Sequence, residues 1–317
     1  DIKNLNLSLN KSDKSLFKIE KIHFSNYGYK KYKVSGKIFK KKFRAKLSND
    51  KKNLNFKILN TGIKANFKFD EKSSLDSMSG SSKISFLDNY LKINFNLNND
   101  RAEIIESNFQ NKYLSISFDS FINFNPFFAT KLNMDINDID SEFINNISLE
   151  KILKNKEIIK KINSDNTINY KPKRFRTNLI KNYSSESSLN YGRLVFVNKI
   201  VIVGGDIRCK GESSLIEEYP RLNFDCLFNL RDKKKFFKKF SLKDNFNLDP
   251  MDLNIIGSLN LINKKINFQK IKIGKNYTAN EEDTKYFKET FENILFDDGF
   301  FNMFKMNKIK TFLLALN

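Results

Sequence analysis

Apolar and polar residues alternate along this chain from about residue 2 to residue 137, and this alternation constrains the fold more than any other feature. Because successive side chains of a β-strand point to opposite faces, each apolar set lies on one face of a strand, with lysine, asparagine and serine on the other. Short breaks with turn residues, such as Thr61-Gly62 and Asn98-Asn99-Asp100, separate strands of about six to nine residues. Parallel crossovers need a dozen or more residues, so this spacing predicts antiparallel pairing.

The sequence therefore predicts a mainly β protein, in which a long antiparallel meander forms a curved sheet or groove shaped like a taco or clamp. We assign residues 1–137 to the antiparallel meander, with about twelve strands. Residues 138–164 are predicted to be a helical insertion, in which the apolar spacing favours a helix over Ser148–Asn163. The sheet is predicted to continue over 165–273 and to include a short basic helix at 231–240. Residues 274–317 are predicted to form a C-terminal helical cap, with Asn280 as the N-cap residue of its first helix.

One face of such a meander is apolar and rich in phenylalanine, and it has to be covered by another sheet, by helices or by lipid. The chain has few predicted helices for its number of strands, which leaves room for lipid. The candidates for the lining of an apolar groove are the most regular alternating sets: Leu54, Phe56, Ile58, Ile63, Ala65, Phe67, Phe69, Leu91, Ile93, Phe95 and Leu97.

The chain offers little chemistry for catalysis. His23 is the only histidine, and it stands in an alternating strand, where a position on the polar face is expected. No nucleophile elbow, phosphate-binding loop or dinucleotide-binding glycine motif is present. Gly204-Gly205 is interpreted as a bulge or tight turn between strands. The sequence predicts that the protein is not an enzyme, with no catalytic residue, no metal site and no cofactor.

The two cysteines, Cys209 and Cys226, flank a predicted turn near Glu217-Glu218-Tyr219-Pro220. If the strands pair about the midpoint of that segment, the two cysteines lie directly opposite each other, within disulfide distance. We therefore predict a disulfide, which indicates an oxidising compartment. The alternative is a pair of reduced, half-buried cysteines in a cytosolic protein.

The formal net charge of +21 admits two interpretations. One is a polyanionic partner, such as nucleic acid, lipopolysaccharide or an anionic membrane surface. The other is a coding bias, because lysine outnumbers arginine 49 to 8 and asparagine, isoleucine and phenylalanine are abundant with it. Nucleic acid is not expected as a partner, because the phenylalanines alternate with lysine and so lie on the opposite face from the charge.

The predicted helix at 231–240 places aromatic residues opposite five lysines. One hypothesis is that this helix lies on a membrane surface. The other is that it packs its aromatic residues inward and exposes its lysines to water. The candidate basic residues are Lys233, Lys234, Lys235, Lys238 and Lys239.

The chain begins at Asp1 without an initiator methionine, and strand-like sequence follows at once. No apolar run approaches the roughly 18–20 residues that span a bilayer. We interpret the chain as a processed or truncated piece and expect any signal or membrane anchor to lie upstream of it.

Taken together, these segments resemble the C-terminal part of AsmA-like proteins of two-membrane bacterial envelopes. The resemblance is carried by a strand with Val34, Gly36 and Ile38, by the repeated turn-and-strand unit Leu54–Phe69, and by the segment LNIIGSLNLINKKINF at Leu253–Phe268. The closing segment NEEDTKYFKETFENILF, with its acid-rich first turn, is similar to the tail of such proteins. The similarity is one of pattern and covers most of the chain.

The resemblance implies an inner-membrane anchor upstream, a periplasmic β-rich body and a role in outer-membrane biogenesis and phospholipid homeostasis. It also implies that acyl chains of phospholipid or another envelope lipid move along an apolar lining. Protein partners are not indicated. A structural or adhesive envelope protein with a closed core and no lipid cargo is the alternative.

Overall fold

The computed structural model describes residues 2–11, 14–28, 31–38, 40–71, 77–125, 128–140, 153–154, 156–172, 179–242, 250–275, 277–296 and 306–315. These residues form a mainly β protein with short helices between strands and longer helices near the C-terminus, which confirms the predicted fold class. The chain divides into two compact units, a first unit at residues 1–126 and a second unit at residues 127–317.

The first unit is an antiparallel meander in which each strand pairs with the strands before and after it. Its strands are β1 (Ile2–Lys11), β2 (Lys14–Ser25), β3 (Lys33–Ile38), β4 (Lys41–Leu47), β5 (Asn53–Ile58), β6 (Lys64–Phe69), β7 (Ser77–Phe86), β8 (Asn89–Asn98), β9 (Arg101–Gln110) and β10 (Leu114–Asn123).

Asparagine side chains close several of the turns between these strands. The side-chain oxygen of Asn98 accepts hydrogen bonds from the backbone amides of Asp100 and Arg101, at 3.0 and 2.8 Å. Asn111 accepts in the same way from Tyr113 and Leu114, at 2.8 Å each. An asparagine at the start of a turn imitates a backbone turn, which explains part of the asparagine content of the chain.

The second unit contains the remaining strands and the helices of the described chain. Its elements are β11 (Ala129–Ile139), α1 (Lys156–Ile159), β12 (Asn163–Tyr170), β13 (Ile180–Asn190), β14 (Arg193–Ile202), β15 (Gly205–Ser214), β16 (Arg221–Leu230), α2 (Lys233–Lys239), β17 (Met251–Asn260), β18 (Ile266–Ile273), β19 (Tyr277–Thr278), α3 (Glu281–Ile294) and α4 (Met306–Ala315). None of the helices in this part of the chain has the length and apolar character that crossing a bilayer requires.

The strands β11 and β12 pair in parallel, with Thr130 opposite Ser164 and Ile136 opposite Tyr170. The antiparallel pairing predicted for residues 1–137 therefore does not continue across the predicted insertion, where the two strands run in parallel. The segment between the two strands contains α1, and it supplies the length that a parallel crossover needs. The predicted helical insertion at 138–164 is also shorter than expected at its end, because β12 already begins at Asn163. Residues 141–152 and 155, which include Ser148, lie outside the described residues.

A row of alternating phenylalanine and glycine crosses five strands of the second unit, from β14 to β18. The residues that lie opposite one another in turn are Phe196, Gly211, Phe224, Gly257 and Phe268. A Cβ atom on Gly211 would lie 2.6 Å from the ring of Phe196, and one on Gly257 would lie 2.8 Å from the ring of Phe224. The two rings therefore lie over the glycines, which explains why glycine occupies the interior of these strands.

Helices cover the apolar side of this row at its C-terminal end. The ring of Phe268 makes edge contacts with Phe287 and Phe291 of α3, at centroid distances of 5.0 and 5.6 Å. The ring of Phe312 in α4 contacts the same two rings, at 5.5 and 5.9 Å. Asn280 is confirmed as the N-cap residue of α3, because its side chain accepts a hydrogen bond from the amide of Asp283. The second unit thus has an ordinary covered core.

Candidate functional site

A row of apolar residues crosses all ten strands of the first unit. Each residue of the row is the direct cross-strand partner of the next, from β1 to β10: Ile2, Phe24, Val34, Ala45, Phe56, Ala65, Ile84, Leu91, Phe109 and Ile116. With strands about 4.8 Å apart, the row follows a path of roughly 43 Å through the sheet. We call the side of the first unit that carries this row the apolar face.

The structure brings the predicted groove residues together on this face. They lie on three strands and one turn: Leu54, Phe56 and Ile58 on β5, Ala65, Phe67 and Phe69 on β6, Leu91, Ile93, Phe95 and Leu97 on β8, and Ile63 just before β6. Ile58 and Ala65 are buried, Leu97 is exposed, and the other eight side chains are half-buried.

Aromatic rings pack against one another along the apolar face. The ring centroids of Phe43 and Phe56 are 5.5 Å apart, and those of Phe67 and Phe69 are 6.4 Å apart. Phe69 and Phe95 flank the intervening strand β7 and meet edge to face at 6.4 Å. Such ring pairs add stability beyond the area that they bury. The rings therefore form two groups on this face, Phe43 with Phe56 and Phe67 and Phe95 with Phe69.

Sequence reasoning missed several residues of this face, including Phe43, Ile84 and Phe109. Phe43 is 5% exposed and lies over Gly36, where an added Cβ atom would be 2.8 Å from its ring. The alternation of apolar and polar residues could have identified them. It would have had to be applied also to the strands adjacent to those with the most regular alternation. The register, which decides whether two alternating sets share a face, depends on the length of each turn.

No α-helix covers the apolar face within the described part of the first unit. Every strand there makes its main contacts with the strands before and after it, and no α-helix is found among the described residues of this unit. Among the side chains of this unit that the structure describes, few hydrophobic ones are buried: Ile22, Phe43, Ile58 and Ala65. The rest of the buried core lies in the second unit, where helices cover the sheet. The apolar face is thus left half-open.

Ser82 is a polar residue in the middle of the apolar face. It lies on β7 between Phe67 of β6 and Ile93 of β8, and it is 2% exposed. Its hydroxyl oxygen has no hydrogen-bond partner. A buried hydroxyl without a partner lowers stability, because it has lost its hydrogen bonds to water.

Replacing Ser82 with alanine is expected to raise the free energy of unfolding of the first unit by about 1 kcal/mol, because the desolvated hydroxyl is removed. Urea denaturation followed by circular dichroism measures the change. Ser85→Ala is the matched control, since Ser85 stands on the opposite face of the same strand, and it should leave the free energy of unfolding nearly unchanged. A loss of stability in Ser82→Ala would mean that the hydroxyl does have a partner.

The candidate basic helix is shorter than predicted, since α2 spans Lys233–Lys239 and Asp232 caps its N-terminus. Backbone and side-chain hydrogen bonds from Lys235 hold the pKa of Asp232 below its usual value. Phe236 and Phe240 are 7% and 4% exposed and belong to a core cluster. The aromatic side of this helix is therefore packed against the sheet, which favours the second of the two hypotheses for this segment.

The five predicted basic residues do not form one surface. Lys233 is only 8% exposed, so its assignment to a basic surface is wrong. Lys235 pairs with Asp232 at 2.9 Å, and Lys239 is half-buried. Lys234 and Lys238 are exposed. A helix whose aromatic residues are already buried has no apolar side left to insert into a bilayer.

The two cysteines are direct cross-strand partners on β15 and β16, and a disulfide joins them. Their Cα atoms are 4.1 Å apart. This is the pairing that the sequence predicts. The oxidising compartment that a stable disulfide indicates stays a prediction.

His23 is exposed and lies opposite Ser35, on a polar position of β2. No three histidine, cysteine or acidic side chains within the described ranges are grouped so that they could hold a metal ion. Gly204 forms the tight turn between β14 and β15 with a φ of +87°, and a Cβ atom there would lie 2.3 Å from the carbonyl oxygen of Asp232. This turn is structural, as the sequence indicates.

No model of a known protein family matches this chain, and neither does any curated protein or any solved structure.

Proposed function

We propose that this protein is a non-catalytic, AsmA-like envelope protein that holds the acyl chains of phospholipid, or of another envelope lipid, on its apolar face. The observation that carries the proposal is the contrast between the two units. Helices cover the apolar side of the second unit, whereas the described part of the first unit leaves its apolar face half-open.

The size and chemistry of the apolar face suit an acyl chain. One leaflet of a bilayer is about 15 Å thick in its hydrocarbon part, half of the roughly 30 Å core. At about 4.8 Å a strand, that length corresponds to three or four strands of the meander. Each methylene group removed from water contributes about 0.8 kcal/mol. Between β5 and β8 the row Phe56, Ala65, Ile84 and Leu91 offers an apolar path of this length.

The proposed location is the periplasm, with an inner-membrane anchor upstream of Asp1, and the proposed process is outer-membrane biogenesis. Support comes from the pattern resemblance to AsmA-like proteins and from the disulfide between Cys209 and Cys226. Disulfides persist in oxidising compartments such as the bacterial periplasm.

The experiment that tests this function is native mass spectrometry of the purified protein, combined with lipid extraction. Wild-type protein is expected to carry phospholipid at near-stoichiometric levels. Phe95→Asp, which places a charge on the apolar face, is expected to reduce the bound lipid by about tenfold or more. Phe121→Asp is the matched control, because Phe121 is a 40% exposed phenylalanine on the other face of the same unit, opposite Glu103. It should retain lipid.

A second variant separates loss of lipid from loss of fold. Leu97 is 38% exposed at the rim of the apolar face, so Leu97→Asp buries no charge and should keep the circular dichroism spectrum of the wild type. It is expected to weaken lipid retention. A folded, monomeric wild-type protein without lipid would favour the alternative, a structural or adhesive envelope protein with a closed core.

A further inference from the structure

The face of the first unit opposite the apolar face carries positive charge on five consecutive strands. From β4 to β8 its charged side chains are Lys42, Arg44, Lys46, Lys57, Lys64, Lys68, Lys83 and Lys92, and all are exposed. We call this set the cationic face. The strands β4 to β8 carry no aspartate or glutamate on this face. In the described chain from β4 to β8, the carboxylates lie in the turns between the strands.

Like charges lie directly opposite one another on this face. Arg44 is the cross-strand partner of Lys57, and Lys57 is the partner of Lys64, so three cations follow one another across three strands. Lys83 and Lys92 form a further pair on β7 and β8. None of the eight residues takes part in a salt bridge within the described part of the chain. Like charges in directly opposite positions destabilise a sheet, so this arrangement is unfavourable for the isolated protein.

The lysine content of the chain does not by itself explain the cationic face. The whole sequence has 57 basic and 36 acidic residues. At that ratio, eight charged positions would hold about three carboxylates, whereas the cationic face holds none. The acidic residues nearby are placed elsewhere: Glu71 pairs with Lys52 at 2.6 Å in the turns that bound β5 and β6, and Asp50 accepts from the amide of Lys52.

We propose that the cationic face is a docking surface for the anionic surface of a lipid bilayer. Its charges are distributed over four strand spacings, about 19 Å, and over about 13 Å along the strands. Seven of the eight are lysines, which act as hydrated point charges and suit an array of headgroups better than the bidentate recognition that arginine provides. Near an anionic leaflet each lysine adds about fivefold to the affinity.

Nucleic acid fits the cationic face less well than a bilayer does. Proteins that bind single strands combine positive charge with aromatic side chains on which bases stack. Tyr90 is the aromatic residue on this face of β4–β8, and the phenylalanines of these strands lie on the apolar face. Because the two faces point in opposite directions, docking on a bilayer leaves the apolar face free, and the inference does not depend on lipid cargo.

The test is flotation of the whole chain with vesicles of phosphatidylcholine, with and without phosphatidylglycerol. Wild-type protein is expected to bind only the vesicles that contain phosphatidylglycerol, and to release them as the salt concentration rises. The double variant Lys57→Glu/Lys83→Glu is expected to weaken this binding by about a hundredfold or more. It should fold normally, because each glutamate gains an oppositely charged cross-strand neighbour.

The matched control carries the same change in net charge on the second unit. Lys181→Glu/Lys270→Glu alters two exposed lysines there and is expected to bind the anionic vesicles within about twofold of the wild type. Equal losses in the two double variants would overturn the proposal, because net charge alone would then account for binding. Equal binding to the neutral vesicles would also overturn it, and so would tighter binding to a single-stranded oligonucleotide at the same salt concentration.

Discussion

Replacing Phe268 with alanine is expected to lower the free energy of unfolding of the second unit by about 3–5 kcal/mol. Phe268 is 7% exposed and lies at the centre of the covered core. Its ring contacts Phe224 at 6.4 Å, Phe287 at 5.0 Å and Phe291 at 5.6 Å. Alanine would leave a cavity between the sheet and α3, because two helices and a sheet hold the surrounding side chains in place.

Phe56→Ala on the apolar face is the comparison for this substitution. Phe56 is half-buried and has one ring partner, Phe43 at 5.5 Å. Its loss is expected to lower the free energy of unfolding of the first unit by about 1–2 kcal/mol, since part of the ring is already in water. Both values can be measured by urea denaturation, with probes that separate the transitions of the two units. An equally large loss for Phe56→Ala would mean that the apolar face is covered, and the proposed function would lose its main support.

The fold class could be predicted because alternation is a local property of the sequence. The predicted sets of β5, β6 and β8 lie on one face, and eleven strands precede residue 140 in the described chain, close to the predicted number. The acid-rich segment after Asn280 forms α3, whose N-terminus has the negative residues that the helix dipole favours. Each of these inferences needed only a period of two or of 3.6 residues.

The parallel pair of β11 and β12 could not be predicted in this way. Alternation reports which face a side chain occupies, but it does not report which strand lies alongside. The period of the sequence changes after residue 138, and from the period alone this change indicates an insertion. The segment that follows β11 is instead the crossover connection between the parallel strands β11 and β12. The cationic face escapes prediction for a related reason. The sequence shows that lysines alternate with phenylalanines, but only the register places Lys57 between Arg44 and Lys64.

The burial of Lys233, by contrast, could have been predicted. It stands three residues before Phe236 and seven before Phe240, so helical spacing places all three on one side of α2. Grouping all five lysines opposite the aromatic residues ignores this spacing. Lysine tolerates such a position because its long stem packs against apolar neighbours.

Removing the disulfide with Cys209→Ala/Cys226→Ala is expected to lower the free energy of unfolding of the second unit by about 3 kcal/mol. The physical reason is the unfolded state. The crosslink joins residues 17 positions apart, and closing a loop of that size restricts the unfolded chain. Urea denaturation of the double variant under non-reducing conditions measures the loss. Wild-type protein unfolded in the presence of a reducing agent is the control, and it should match the double variant.

Mass spectrometry decides whether the crosslink forms in the native protein. After alkylation of the unfolded chain, the reduced sample should be heavier than the unreduced one by two alkyl groups, because only reduction frees Cys209 and Cys226. Equal masses with both thiols alkylated would show that the cysteines are free. In that case the double variant should be nearly as stable as the wild type. The inference of an oxidising compartment would then fail, and the periplasmic location would rest on the pattern resemblance alone.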